Sequence, residues 1–206
     1  MTPGNLCAGV ARANITPPVG IPLVGFAGRG ASEGVHDELY ATTLALQCGD
    51  TRALIVTLDL LYLSDSLTIE VRQEIERSLG VPADHVLLCA SHTHYGPSVG
   101  AHEPGELPAD VSAYLANLKY LLAGTARAAL AGCRPVLVGY AQGRCDIGVN
   151  RRERRPDGRI VLGQNLEGAC DREVRLVRLD AGEGDPLAAV VHFAARCYVG
   201  ESVRDP

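Results

Sequence analysis

The sequence holds no tryptophan, one methionine, two phenylalanines and a single lysine, Lys119, in 206 residues. With 47% hydrophobic and 21% charged residues it is nonetheless an ordinary soluble globular composition. The scarcity of lysine beside abundant arginine reads as coding bias. A surplus of positive charge is also missing: the formal net charge is -5, which argues against a polyanion partner, since nucleic-acid binders need a basic surface. Met1 to Arg12 lacks a basic start followed by an apolar core, so no secretory signal is expected, which favours the cytoplasm. No apolar run reaches the roughly 20 residues that span a bilayer; Leu115 to Ala131 comes nearest and is broken by Lys119 and Arg127. Cys-x-x-Cys spacing is absent, and seven scattered cysteines are an odd number, which excludes a disulfide framework or zinc ribbon and points to buried free thiols. No repeat, low-complexity tract or linker divides residues 1–206, so a single domain is expected.

What is present alternates between strand and helix patterns. Leu6 to Ile15, Ala41 to Cys48 and Ala53 to Leu61 read as strands, the last delivering Asp59 near its end. Asp59 reads either as a support of a nearby site or as a capping or solvated carboxylate. Ser64 to Leu79 has helical spacing in Leu67, Val71, Ile75 and Leu79, a Ser or Asp cap, and a stop at Gly80. The apolar run His85 to Ala90 follows, so residues 53–90 form a strand–helix–strand unit with parallel strands. Val111 to Leu130 is a second helix, and Val136 to Tyr140, Val174 to Leu179 and Leu187 to Ala194 are later strands. Gly96 to Asp110 and Asn150 to Asp171 read as long loops. The fold class is α/β, a mixed β-sheet core with flanking helices and a ligand site at the C-terminal ends of strands.

The most informative stretch is Ser91-His92-Thr93-His94-Tyr95-Gly96-Pro97, directly after the apolar run. Residues two apart on a strand share a face, so both imidazoles can converge on one centre, a common start for a zinc site. The alternative is a pair of histidines bonded to backbone carbonyls. Metallo-β-lactamase-like sites need Asp-His soon after the pair, where Gly96-Pro97 stands here, and amidohydrolase barrels carry the pair on an early strand of a longer chain. His36 sits in Glu33-Gly34-Val35-His36-Asp37, a loop where a surface histidine is the simpler reading. Arg151 and Arg152 open an arginine run that is either a solvated loop or the source of a guanidinium for a carbonyl or oxyanion. The turn-rich Gly20 to Phe26 has glycines that allow close backbone approach, and no Gly-Lys-Ser/Thr follows to make it a P-loop.

In order, Ala8-Gly9-Val10-Ala11-Arg12, Ile15-Thr16-Pro17-Pro18-Val19-Gly20, Gly34-Val35-His36-Asp37, Thr57-Leu58-Asp59-Leu60-Leu61, Ser91-His92-Thr93-His94 with Gly96-Pro97, and Gly148-Val149-Asn150-Arg151-Arg152 resemble the neutral/alkaline (non-lysosomal) ceramidase family. The ordered set runs through nearly the whole chain. The resemblance implies a zinc-dependent amidase cleaving the N-acyl bond of ceramide-like lipids to fatty acid and sphingoid base. It implies Zn²⁺ as cofactor with His92 as a ligand, and His94 facing the substrate to stabilise or shuttle protons. It implies His36 and Arg151 lining the same pocket and Gly25 in its wall. The partner implied is a small-molecule lipid, with contact to a membrane surface left open and secretion allowed.

The family places a second zinc histidine where Arg196 stands, in His192-Phe193-Ala194-Ala195-Arg196-Cys197-Tyr198. A guanidinium stays protonated and cannot ligate the metal. The remaining ligands, a Glu and a Tyr, fall beyond Pro206 by the same resemblance, so the chain is expected to be the N-terminal part of a catalytic domain. Two other functions fit the residues: an anion- or lipid-binding domain of the same fold without catalysis, and a hydrolase of smaller amides or esters.

Overall fold

Aliphatic residues at every second position build the sheet that carries the site. The computed structural model describes residues 6–26, 28–99, 107–182 and 184–193. They fall into two compact units, 1–136 and 137–206.

In the first unit, β1 (Cys7–Asn14), β2 (Tyr40–Cys48) and β3 (Thr51–Leu58) form an antiparallel meander. In β3, Leu54, Val56 and Leu58 are buried while Thr57 is exposed, the period of two that a half-buried strand requires. α1 (Asp65–Leu79) starts where the Ser64 hydroxyl accepts a hydrogen bond from the Leu67 N–H at 3.2 Å, and it buries Leu67, Val71 and Ile75. It crosses back to β4 (Val86–Ala90), which pairs parallel with β3 from Leu54↔Val86 to Leu58↔Ala90, as the strand–helix–strand reading expects. α2 (Ala109–Ala131) follows, and the short β5 (Arg134–Pro135) closes on β1. The sheet order is β4-β3-β2-β1-β5, with one parallel pair in an otherwise antiparallel sheet.

Leu118, Leu122, Ala126 and Ala129 of α2 join Val71 and Ile75 of α1 and the buried residues of β2 and β3 in one core. Backbone packs directly on backbone at Gly9, where an added Cβ would lie 2.1 Å from the Ala129 carbonyl oxygen. Any larger residue there would push α2 off β1. At the other end of β1 the Tyr114 hydroxyl, on α2, donates to the Ile15 carbonyl at 2.8 Å. Burial pushes the Tyr114 phenol pKa well up.

The second unit begins with β6 (Leu137–Arg144) and continues into a hairpin of β7 (Asn150–Arg154) and β8 (Ile160–Asn165). This corrects the expectation of a long loop from Asn150 to Asp171. The reason is local: Arg155-Pro156-Asp157-Gly158-Arg159 is a tight turn. The Gly158 N–H donates to the Arg155 carbonyl and the Arg155 N–H to the Arg159 carbonyl, both at 2.9 Å, with Gly158 at φ 84. Proline first and glycine in the left-handed position suit such a three-residue hairpin loop. β9 (Glu173–Asp180) and β10 (Pro186–His192) then form an antiparallel sheet of order β10-β9-β6. Asp146 bridges two guanidiniums, Arg144 at 2.9 Å and Arg172 at 2.6 Å. Their hydrogen bonds hold its carboxyl below the usual range.

None of the six described cysteines is fully buried, which corrects the expectation of buried thiols; Cys48 is exposed, and Cys89, Cys133, Cys145 and Cys170 carry free thiols. Among the described residues no helix is long and apolar enough to cross a membrane.

Candidate functional site

β4 stops at Ala90, but its hydrogen bonding runs two residues further: the Ser91 N–H donates to the Leu58 carbonyl at 2.9 Å and the His92 N–H to the Leu60 carbonyl at 3.0 Å. His92 then turns out of the sheet with φ 61, the one non-glycine residue of positive φ among the described residues. Histidine is among the residue types that tolerate this region, at a cost of order 1 kcal/mol. The two imidazoles therefore do not meet through strand alternation. They sit on a turn past the strand end, with ring centroids 5.1 Å apart and planes at 76°.

Backbone carbonyls fix both rings. His92 Nδ1–H donates to the Leu61 carbonyl and His94 Nδ1–H to the Gly25 carbonyl, each at 2.8 Å. A carbonyl can only accept, so Nδ1 carries the hydrogen in both rings. Each neutral imidazole then keeps its Nε2 lone pair, for a metal, a proton or a polar substrate group. The carbonyl-bonded reading and the ligand reading are thus compatible: the first nitrogen is used for orientation and the second is left for chemistry.

The Gly25 contact follows from how two loops run side by side. Leu23 and Pro97 form an isolated antiparallel bridge. The Val24 N–H donates to the Gly96 carbonyl at 3.2 Å, and the Ser98 N–H to the Pro22 carbonyl at 3.0 Å. This brings Gly25, at φ 115, so close that a Cβ there would lie 2.7 Å from the His94 Cβ. Only glycine fits both the conformation and the space.

Three further side chains complete the cluster. Arg29 Nη1 donates to the His94 carbonyl at 2.7 Å, and its guanidinium lies 4.4 Å from the Tyr95 ring centroid and 5.3 Å from that of Phe26. The Phe26 ring is tilted against His94 at 5.1 Å. Sequence reasoning did not single out Arg29 or Tyr95. The available signal was an arginine between two glycines, Gly28-Arg29-Gly30, inside the turn-rich segment.

A groove of about 740 Å³ opens beside this cluster, lined by Thr16, Leu23, Arg29, His36, Thr93 and Tyr95 among others. His36 lies on its rim, with a side chain 97% exposed and Nδ1–H donated to Asp37 at 2.7 Å. His92 and His94 are not part of the groove lining. Asp59 proves to be a backbone support: its carboxylate accepts the Tyr40 N–H at 2.9 Å. Arg151 lies on β7 in the second unit. Arg196, expected at the second zinc-ligand position, lies outside the described residues.

The donor set decides how far a zinc ion fits. His92 offers what a ligand needs, an oriented ring with its Nε2 available. Yet no group of three or more His, Cys, Asp or Glu side chains gathers among the described residues. A zinc site needs three or four protein ligands, so these residues supply part of a set.

No protein-family model matches the sequence. Among solved structures, the neutral ceramidase from Pseudomonas aeruginosa aligns with a TM-score of 0.72 and 19% identity, over 92% of this chain and 32% of that one. A ceramidase complexed with C2 aligns with a TM-score of 0.71 and 18% identity, over 92% of this chain and 31% of that one. The chain thus spans about a third of the length of the structures it matches, and it shares with them a ceramidase-like α/β fold.

Proposed function

We propose that these 206 residues form part of a zinc-dependent amidohydrolase that cleaves the N-acyl bond of ceramide-like lipids to a fatty acid and a sphingoid base. The observation that carries the reading is the pair of carbonyl-oriented imidazoles, His92 and His94, side by side at the end of β4 with both Nε2 atoms available. The ceramidase-like fold and the ordered motifs give that pair its context.

In this reading His92 Nε2 is one ligand of the zinc. A zinc held there would supply Lewis acidity, the property that brings the pKa of water down to about 7. His94 Nε2 faces the substrate, where it accepts and returns a proton; the leaving amine must gain one before the amide can break. Arg29 and Gly25 hold His94 in place through its carbonyl and its ring. His36 contacts the substrate from the rim of the groove. By the family resemblance, a guanidinium such as that of Arg151 has the task of stabilising the carbonyl oxygen as it becomes negative in the tetrahedral intermediate.

Hydrolysis of N-acyl sphingoid bases of graded acyl length tests this, with and without a chelator, on the wild type and on His92→Ala. Loss of hydrolysis on chelation and on His92→Ala is expected. Hydrolysis that survives both overturns the reading. The partial ligand set favours a second reading, a binding domain of the same fold. Stoichiometric binding of N-acyl lipid without cleavage, unaffected by chelation, would select it.

A further inference from the structure

The hairpin of β7 and β8 differs from the rest of the second unit because, among the described elements, its strands pack chiefly on each other. Its register sets Arg152 opposite Leu162 and Arg154 opposite Ile160. Opposed residues of an antiparallel pair share a face, so these four side chains make one surface. All four are exposed, Leu162 by 74% and Ile160 by 58%. Leu166, at 74%, follows directly after the second strand.

Charge is sorted in the same way. Residues 150–165 hold five arginines against Glu153 and Asp157, a local charge of +3 in a chain of formal charge -5. Both carboxylates are engaged away from this face. Glu153, opposite Val161 on the other side, accepts the Gln164 N–H at 3.2 Å. Asp157 pairs with Arg159 at the turn at 2.7 Å. Arg152 and Arg154 have no carboxylate partner among the described residues.

Arginines interleaved with exposed aliphatics fit a surface that is anionic outside and apolar beneath. Nucleic acid would instead call for aromatic platforms between the cations, and this hairpin has none. We infer that the exposed face of the hairpin 150–165 docks onto an anionic lipid bilayer, with Arg152 and Arg154 on headgroup phosphates and Ile160 and Leu162 entering the acyl boundary. The inference stands on this surface alone and holds whether or not the chain hydrolyses an amide.

The test is co-sedimentation of the whole chain with vesicles of phosphatidylcholine plus phosphatidylglycerol, against vesicles of phosphatidylcholine alone, with no ceramide present. Binding is expected only to the anionic vesicles, falling as salt screens the charges. Arg152→Gln with Arg154→Gln should lower the partition coefficient by about fivefold per arginine. Ile160→Ser with Leu162→Ser should lower it by about tenfold or more. Arg134→Gln, an exposed arginine of the first unit, should leave it within about twofold. Because the chain has no tryptophan, Leu162→Trp adds a single indole whose emission, excited apart from the seven tyrosines, should shift to the blue on anionic vesicles. Binding that ignores lipid charge or survives both double variants overturns the inference. So does an unshifted Leu162→Trp, or equal affinity for duplex DNA that the arginine variants abolish.

Discussion

Gly25 and His94 are locked to each other from two sides. The His94 ring donates to the Gly25 carbonyl at 2.8 Å, and the Gly25 Cα passes so near that a Cβ would stand 2.7 Å from the His94 Cβ and 2.8 Å from its Cα. Gly25→Ala must therefore either open the paired loops or turn His94 out of position. The expected loss is about 2 kcal/mol or more, summing the strain at φ 115 and the overlap. Urea unfolding measures the loss, and the His94 ring resonances report the displacement. A change under about 0.5 kcal/mol with unmoved resonances would show that the loops do not meet this way.

His92 tests a different property of the same turn, its backbone. Both His92→Asn and His92→Val remove the ring and its bond to the Leu61 carbonyl, so that loss cancels between them. They differ in how well they accept φ 61. Asparagine tolerates the left-handed region and a β-branched residue does not. His92→Val should be less stable than His92→Asn by about 1–2 kcal/mol in denaturant unfolding. Equal stabilities would mean an ordinary extended backbone at this position.

The strand–helix–strand unit was legible because each signal was local: alternation in β3, the helical spacing of Leu67, Val71 and Ile75 in α1, and the Ser64 cap. The convergence of His92 and His94 was legible as a pair but not by the stated route. Alternation applies inside a strand, and β4 ends at Ala90, before either histidine, with His92 already turned out of the extended conformation. The hairpin at 150–165 was missed because charge dominated the pattern: the arginines occupy strand positions where apolar residues normally announce a strand, although Pro156-Asp157-Gly158 marked the turn. Arg29 was out of reach because its role depends on a backbone carbonyl 65 residues away. No spacing within a segment reports such a contact.

Tyr114 ties the middle of the core to alkaline pH. Its phenol pKa is raised by burial, so the folded chain keeps a proton that the unfolded chain releases near pH 10. The sign follows: this contribution is complete below about pH 10 and is lost as pH rises toward the higher folded value. Tyr114→Phe removes that alkaline dependence. It also leaves the Ile15 carbonyl without its donor, so at neutral pH it should cost about 1–2 kcal/mol. Unfolding curves at neutral pH and near pH 11 should therefore converge between wild type and variant. A gap that stays constant across that range would exclude a titrating role.

Asp146 makes the opposite dependence in the second unit. Arg172 and Arg144 both bond its carboxylate and hold its pKa below that of a free side chain. A depressed folded pKa gives stability that is present above the unfolded value, near 3.9, and lost as pH falls through the lower folded one. Asp146→Asn should therefore be less stable than wild type at neutral pH, and the two should converge by about pH 2. The side chains are exposed, so molar salt should shrink the neutral-pH gap as well. Arg144→Gln and Arg172→Gln should each remove part of the gap, because either guanidinium alone still holds the carboxylate. The measurement is hydrogen exchange of β6 and β9 amides, which reads this unit directly. A neutral-pH gap that persists unchanged at about pH 2 would mean that Asp146 acts there by shape alone, with no part played by its charge.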